Sequence, residues 1–260
     1  MRGNEHLTVQ VNGPIMHCVL NRPEALNAFS DQMISGLMKA LKEAEESEDV
    51  KAVVLSGAGR SFSAGGDVKG MGQASAAKLY DHVGKLNQLI LAIKALPKPV
   101  IAVVHGYAAG AGFNLALACD QILAAEKSKF VMSFAQVGLI SDGGGHYFLT
   151  KVLGPYRAKE LLFRAEPINV EQAYDWGMVN RILPVDDLEG AAMEYALEIA
   201  NGPARAIGMI KRVVDQADQS DLAAILEQER ISQTMMIATE DHKEGVEAFK
   251  NKRKPEFAGR

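Results

Sequence analysis

A single carboxylate, Asp142, stands in the run Gly138-Leu139-Ile140-Ser141-Asp142-Gly143-Gly144-Gly145. An acid among glycines can move protons where backbone approaches a ligand closely. Two more glycine-rich segments lie upstream, Ser63-Ala64-Gly65-Gly66-Asp67 and Gly110-Ala111-Gly112. The amides of Ser63 to Gly65 could point into a pocket; taken alone, the segment reads as a turn that needs positive φ. Gly106 to Gly112 follows an apolar strand and opens a helix, whose first-turn amides and positive end suit a phosphate, a carboxylate or a developing enolate. Close packing of helix on strand would call for the same small residues. The segment is not a Walker loop, and GYAAGAG lacks the Rossmann spacing. Together the three segments describe an acyl-group site with main-chain donors for an oxyanion and one acid. Asp142 could equally cap the helix expected to start near Gly144.

These segments are positioned by alternating elements. Leu7–Val11 and Ile15–Leu20 read as strands joined at Asn12-Gly13-Pro14, a hairpin signal. Met33, Ile34, Leu37, Met38, Leu41 and Ala44 recur at helical spacing. Strands are expected at Ala52–Leu55, Val100–Val104 and Gln121–Ala125. Helices are expected through Leu79, Val83, Leu86, Ile90 and Ile93 and over Phe113–Ala118. This alternation predicts an α/β core. After about Pro184 the pattern turns helical, over Leu188–Ala200, Ala204–Ala217, Leu222–Met236 and Glu240–Asn251.

Composition narrows the partners. A formal charge of −4 and a pI near 5.9 argue against nucleic acid or an anionic membrane as partners of the whole chain. Pro99 to Cys119 carries no formal charge apart from His105, but Gly106, Gly110, Gly112 and Asn114 mark it as a buried strand-turn-helix, not a membrane span. The two cysteines, Cys18 and Cys119, have neither disulfide nor metal-ligand spacing and read as buried thiols of a reducing compartment. No apolar signal segment opens the chain, so a cytoplasmic location is expected. His17, His105, Asp120 and Trp176 read as structural residues, and His146 as a helix-surface one.

The segments RSFSAGGD (Arg60–Asp67), HGYAAGAGFNLALACD (His105–Asp120) and VGLISDGGG (Val137–Gly145) resemble the crotonase, or enoyl-CoA hydratase/isomerase, superfamily. So do NRPEALNA (Asn21–Ala28), EQAYDWGMV (Glu171–Val179) and EGVEAFKNKRKPEF (Glu244–Phe257). The resemblance covers the whole chain in order. It implies a superhelix of strand-strand-helix turns with two roughly perpendicular sheets over residues 1–195, then a helical region over 196–260 that packs trimers or pairs of trimers. The implied substrate is an acyl-CoA thioester, with coenzyme A part of the substrate and no separate cofactor or metal. The amides of Ala64 and Ala111 would form the oxyanion hole. Ala25, Leu26, Gly65, Gly66, Asp67 and Val68 would meet the CoA adenine, and Gly110, Asn114 and Phe134 would line the acyl site. Phe249 and Lys252 would reach the CoA of a neighbouring subunit.

Two departures bear on the reaction. Family hydratases hold water between two glutamates at the positions of Asn114 and Phe134. Asn cannot take a proton, and Phe can neither donate nor accept. The remaining acid, Asp142, matches the acidic residue of dienoyl-CoA isomerases. Its burial against Phe134 and Phe148 would raise its pKa to a useful value. The resemblance therefore implies isomerisation of a 3-enoyl-CoA, or of the epoxide of ring-activated phenylacetyl-CoA, with Asp142 as acid/base. Hydration or another lyase reaction, dehalogenation of an aryl-CoA with Asp142 as nucleophile, and non-catalytic acyl-CoA binding remain as alternatives.

Overall fold

The computed structural model describes residues 2–67, 75–217 and 219–260. The main sheet has the order β1-β2-β3-β4-β5-β7-β10. β1 (Arg2–Asn4), β2 (Leu7–Asn12) and β3 (Ile15–Leu20) pair antiparallel. The expected hairpin is present, with Asn12 opposite Ile15. β3 then pairs in parallel with β4 (Ala52–Gly57), followed by β5 (Val100–Val104), β7 (Gln121–Ala125) and β10 (Arg181–Leu183).

Parallel strands covered on both faces read as continuous apolar runs, and alternate residues here enter two different cores. Val53, Leu55, Val100, Ala102 and Val104 face the larger core, beneath α1 (Asp31–Glu46) and α2 (Ala76–Ala95). Ala52, Val54, Ile101, Val103 and Leu123 face α6 (Leu188–Ala200) through Leu188, Ala192, Ala196 and Ala200. The 195/196 boundary expected from sequence thus falls inside a helix that covers the sheet. α1 starts where Ser30 accepts from Met33 N at 3.1 Å, and it buries the expected stripe. α2 buries Leu86, Leu89, Ile90 and Ile93, whereas Leu79, expected on the same face, is exposed.

The second sheet that the resemblance implies is built from strands of two or three residues, which no periodicity marks: β6 (Tyr107–Ala109), β8 (Lys129–Val131) and β9 (Ile168–Asn169). Ser63 joins it through a parallel bridge to Ala108, which brings the first glycine loop alongside the second. The stretch from Pro99 to Cys119 forms β5, β6 and α3 (Ala111–Ala118) within the core. Among the described residues no helix is long and apolar enough to cross a membrane. α4 spans Gly145–Arg164 with a break at Gly154-Pro155, where Gly154 has φ 74°. α5 (Val170–Asp175) leads to β10, and α7 (Ala204–Ala217), α8 (Leu222–Met236) and α9 (Glu240–Lys250) complete the chain as expected.

Candidate functional site

The oxyanion corner is built from main-chain groups. α3 begins at Ala111, and the amides of Ala111, Gly112 and Phe113 have no helical carbonyl four residues before them, whereas Asn114 N donates to Gly110 O at 3.1 Å. Gly110, at φ 51° and ψ −125°, turns the chain from β6 into this helix, and its own amide is bonded to Val131 O at 2.8 Å. Ala111 adopts negative φ, so its methyl is accommodated without strain.

The loop facing α3 departs from expectation. The Ser63 amide donates to Tyr107 O at 3.1 Å, Ala64 to Leu26 O at 2.8 Å, and Gly65 to Ser63 Oγ at 3.1 Å. The Ala64 amide is therefore committed to the main chain and is not free to hold an oxyanion. The next amide, that of Gly66, is bonded to no described group. Gly65 has φ 82°, and a Cβ placed on it would lie 2.5 Å from Ala109 O and 2.8 Å from Ala111 N. This close approach, possible only for glycine, sets the loop against the first amide of α3.

The same loop is tied to the segment proposed for adenine. Leu26 and Asn27 both take positive φ. The buried Asn27 side chain sustains the turn, accepting from Arg22 N and donating to Ala58 O and Ser61 O, each at 2.8 Å. Phe29 N donates to Gly65 O at 2.7 Å, and Arg22 pairs with Asp67 at 3.3 Å. Ala25, Leu26, Gly65, Gly66 and Asp67 are thereby brought together; Val68 lies outside the described residues.

Asp142 sits on a turn that α3 holds. Asn114, fully buried one helical turn after Ala111, donates through Nδ2 to Asp142 O at 2.6 Å and to Ser141 Oγ at 3.0 Å. Because a carbonyl only accepts, the Asp142 O contact fixes which side of the Asn114 amide is nitrogen. Gly143 and Gly144 take positive φ. A Cβ on Gly145 would lie 2.2 Å from Ser141 Oγ and 2.5 Å from Asn114 Oδ1, so the glycine run is a packing requirement as well as a turn. The residue at the N-cap of α4 is Gly144, without a side-chain cap bond. The Asp142 carboxylate is thus not used as a cap; its Oδ1 is buried and unpaired among the described residues. Burial raises the Asp142 pKa above the ordinary carboxylate value, and the charge of His82 on α2 pulls it back.

Phe134 lies near the same corner: a Cβ on Gly110 would be 3.6 Å from its ring. Phe249 and Lys252 lie at the far end of the chain, at and just beyond the end of α9, and Phe249 is 85 % exposed. His17 is buried and pairs with Ser56 Oγ at 2.8 Å; His105 is half-buried and pairs with Gly59 O at 2.9 Å; His146 is exposed. Asp120 is structural, bonded to Lys211 Nζ at 2.8 Å and to Val100 N at 2.7 Å. Sequence reasoning missed Gly66 as the open amide and Asn114 as the clamp on Asp142, and no local signal marks either.

The Enoyl-CoA hydratase/isomerase family profile matches residues 10–260. The chain is 38% identical over 260 residues to the 1,2-epoxyphenylacetyl-CoA isomerase of Escherichia coli K12, covering 98% of this chain and 99% of that one. It is 34% identical over 250 residues to the 2,3-dehydroadipyl-CoA hydratase of the same organism, covering 95% and 96%. Its backbone matches a crystal structure of an enoyl-CoA hydratase from Bacillus anthracis with a TM-score of 0.95 at 31% identity, covering 98% of this chain and all of that one. The chain belongs to the enoyl-CoA hydratase/isomerase family and has the crotonase fold.

Proposed function

We propose that this protein isomerises an acyl-CoA thioester through an enolate, with Asp142 as the single acid/base. The observation that carries this reading is the half-buried Asp142, with Oδ1 unpaired among the described residues, on a turn clamped by the same helix whose first amide, Ala111, is open. The thioester oxygen accepts from the amides of Ala111 and Gly66, the latter replacing Ala64. Asp142 takes a proton from C2, the C2–H electron pair delocalises onto the thioester oxygen, and the dienolate takes the same proton back at C4. Preorganised main-chain donors stabilise that charge most when water is excluded. Ala25, Leu26, Gly65, Gly66 and Asp67 meet the CoA adenine. Similarity to an isomerase of an epoxide-bearing phenylacetyl-CoA supports an aryl or enoyl acyl group.

Exposed apolar side chains on the C-terminal helices, including Ile210, Val214, Leu222, Leu226 and Ile237, support burial in a homotrimer or a dimer of trimers. In that assembly Phe249 and Lys252 reach a neighbour's CoA. Hydration is the second reading, favoured by the similarity to the 2,3-dehydroadipyl-CoA hydratase; Asn114 and Phe134 leave it without a second carboxylate. The test is Asp142→Asn, assayed by proton NMR in deuterated solvent on 3-enoyl-CoA and on 1,2-epoxyphenylacetyl-CoA. A loss of about 100- to 10,000-fold on the wild-type substrate is expected. Undiminished turnover removes Asp142 from the reaction.

A further inference from the structure

α9 ends in a conformation that its residues do not favour. Lys252 N donates to Phe249 O at 3.3 Å and Arg253 N to Ala248 O at 3.1 Å, the paired bonds of a helix end whose reversing residue takes positive φ. That residue is Lys252, at φ 52°. Glycine fills such a position without steric cost, whereas a lysine is strained there. Strain of this kind persists only where the surroundings impose it.

Here the imposing group is an ion pair. Arg253 donates to Glu244 through both arms of its guanidinium, Nη1 to Oε1 at 2.5 Å and Nη2 to Oε2 at 2.9 Å. Glu244 Oε1 also accepts from Glu256 N at 2.8 Å, and Arg253 Nη1 donates to Lys254 O at 3.1 Å. The clasp thus fixes the chain from the helix before Lys252 to the segment after it. Arginine is the side chain best shaped for a phosphate, but this one is committed to a carboxylate. Lys250, Lys252 and Lys254 are exposed and have no ion pair among the described residues.

We propose that Glu244 and Arg253 are positioning residues for the phosphates of the CoA thioester, their ion pair holding Lys252 in the strained turn from which its ammonium meets them. The inference rests on the reading that Phe249 and Lys252 reach CoA. A merely structural clasp is the alternative, one that closes the chain end against α9 and leaves CoA affinity untouched.

The experiment measures the Kd of coenzyme A for the full-length protein by isothermal titration calorimetry, in a double-mutant cycle between Glu244→Gln and Lys252→Ala. Each single substitution should weaken binding about five- to tenfold, the effect of losing one charge-assisted contact. The double variant should bind no more weakly than Lys252→Ala, because Glu244 acts through that side chain. Lys252→Gly should lose the same affinity yet raise the thermal midpoint, since strain and cation are removed together. An unchanged Kd in Glu244→Gln, losses that add in the double variant, or a lower midpoint in Lys252→Gly overturns the inference. An unchanged Kd in Lys252→Ala instead removes Lys252 from the CoA site, so that the underlying reading fails and the inference with it.

Discussion

Asp120 and Asp142 are both half-buried aspartates, and desolvation raises the pKa of each. Asp120 is answered in full: Lys211 and Lys94 flank it, Val100 N donates to it, and Lys211 also donates to Ile93 O and Lys98 O. Asp142 keeps one buried oxygen without a partner. The first carboxylate ties α7 to the sheet; the second keeps Oδ1 without a partner among the described residues. A buried acid satisfied on every side contributes to the fold, and one left unsatisfied on a rigid turn is available for chemistry.

Substitutions should separate the two. Asp142→Asn should have the largest effect on turnover, the 100- to 10,000-fold loss given above, with no loss of stability. Burial penalises the charged form in the folded state, so removing that charge at neutral pH should leave the urea midpoint unchanged or higher. Lys211→Met should do the reverse. Stranding the Asp120 carboxylate should cost about 3 kcal/mol in urea unfolding, with activity per folded molecule close to wild type. Gly145→Ala should lie between, since its methyl would meet Ser141 and Asn114. A cost of about 1–3 kcal/mol is expected, together with a fall in kcat larger than any change in KM. Asn114→Ala should cost about 1–2 kcal/mol and still lower kcat, because the Asp142 turn loses its clamp. If Lys211→Met and Asp142→Asn produced the same pattern in both assays, the distinction between the two acids would fail.

Much of this contrast was legible in the residues. The lone acid among glycines and the alternating strands and helices stand where their spacing places them, and the helix expected over Phe113–Ala118 opens two residues earlier, at Ala111. The Ala64 assignment failed because a loop amide's freedom depends on a carbonyl 38 positions earlier, Leu26 O, which no local pattern reveals. The resemblance implied a second sheet, but its strands could not be placed because runs of two or three residues carry no periodicity.

The two cysteines bear on survival during turnover. Cys18 and Cys119 are buried; desolvation pushes Cys18 up to about 12 and Cys119 upward as well, so neither carries appreciable thiolate. Conjugated thioesters and ring epoxides are alkylating agents toward sulfur. A catalyst that handled such electrophiles would, with this chain, offer them no nucleophilic thiol, and slow self-inactivation by its own ligands would be blocked at the level of cysteine placement.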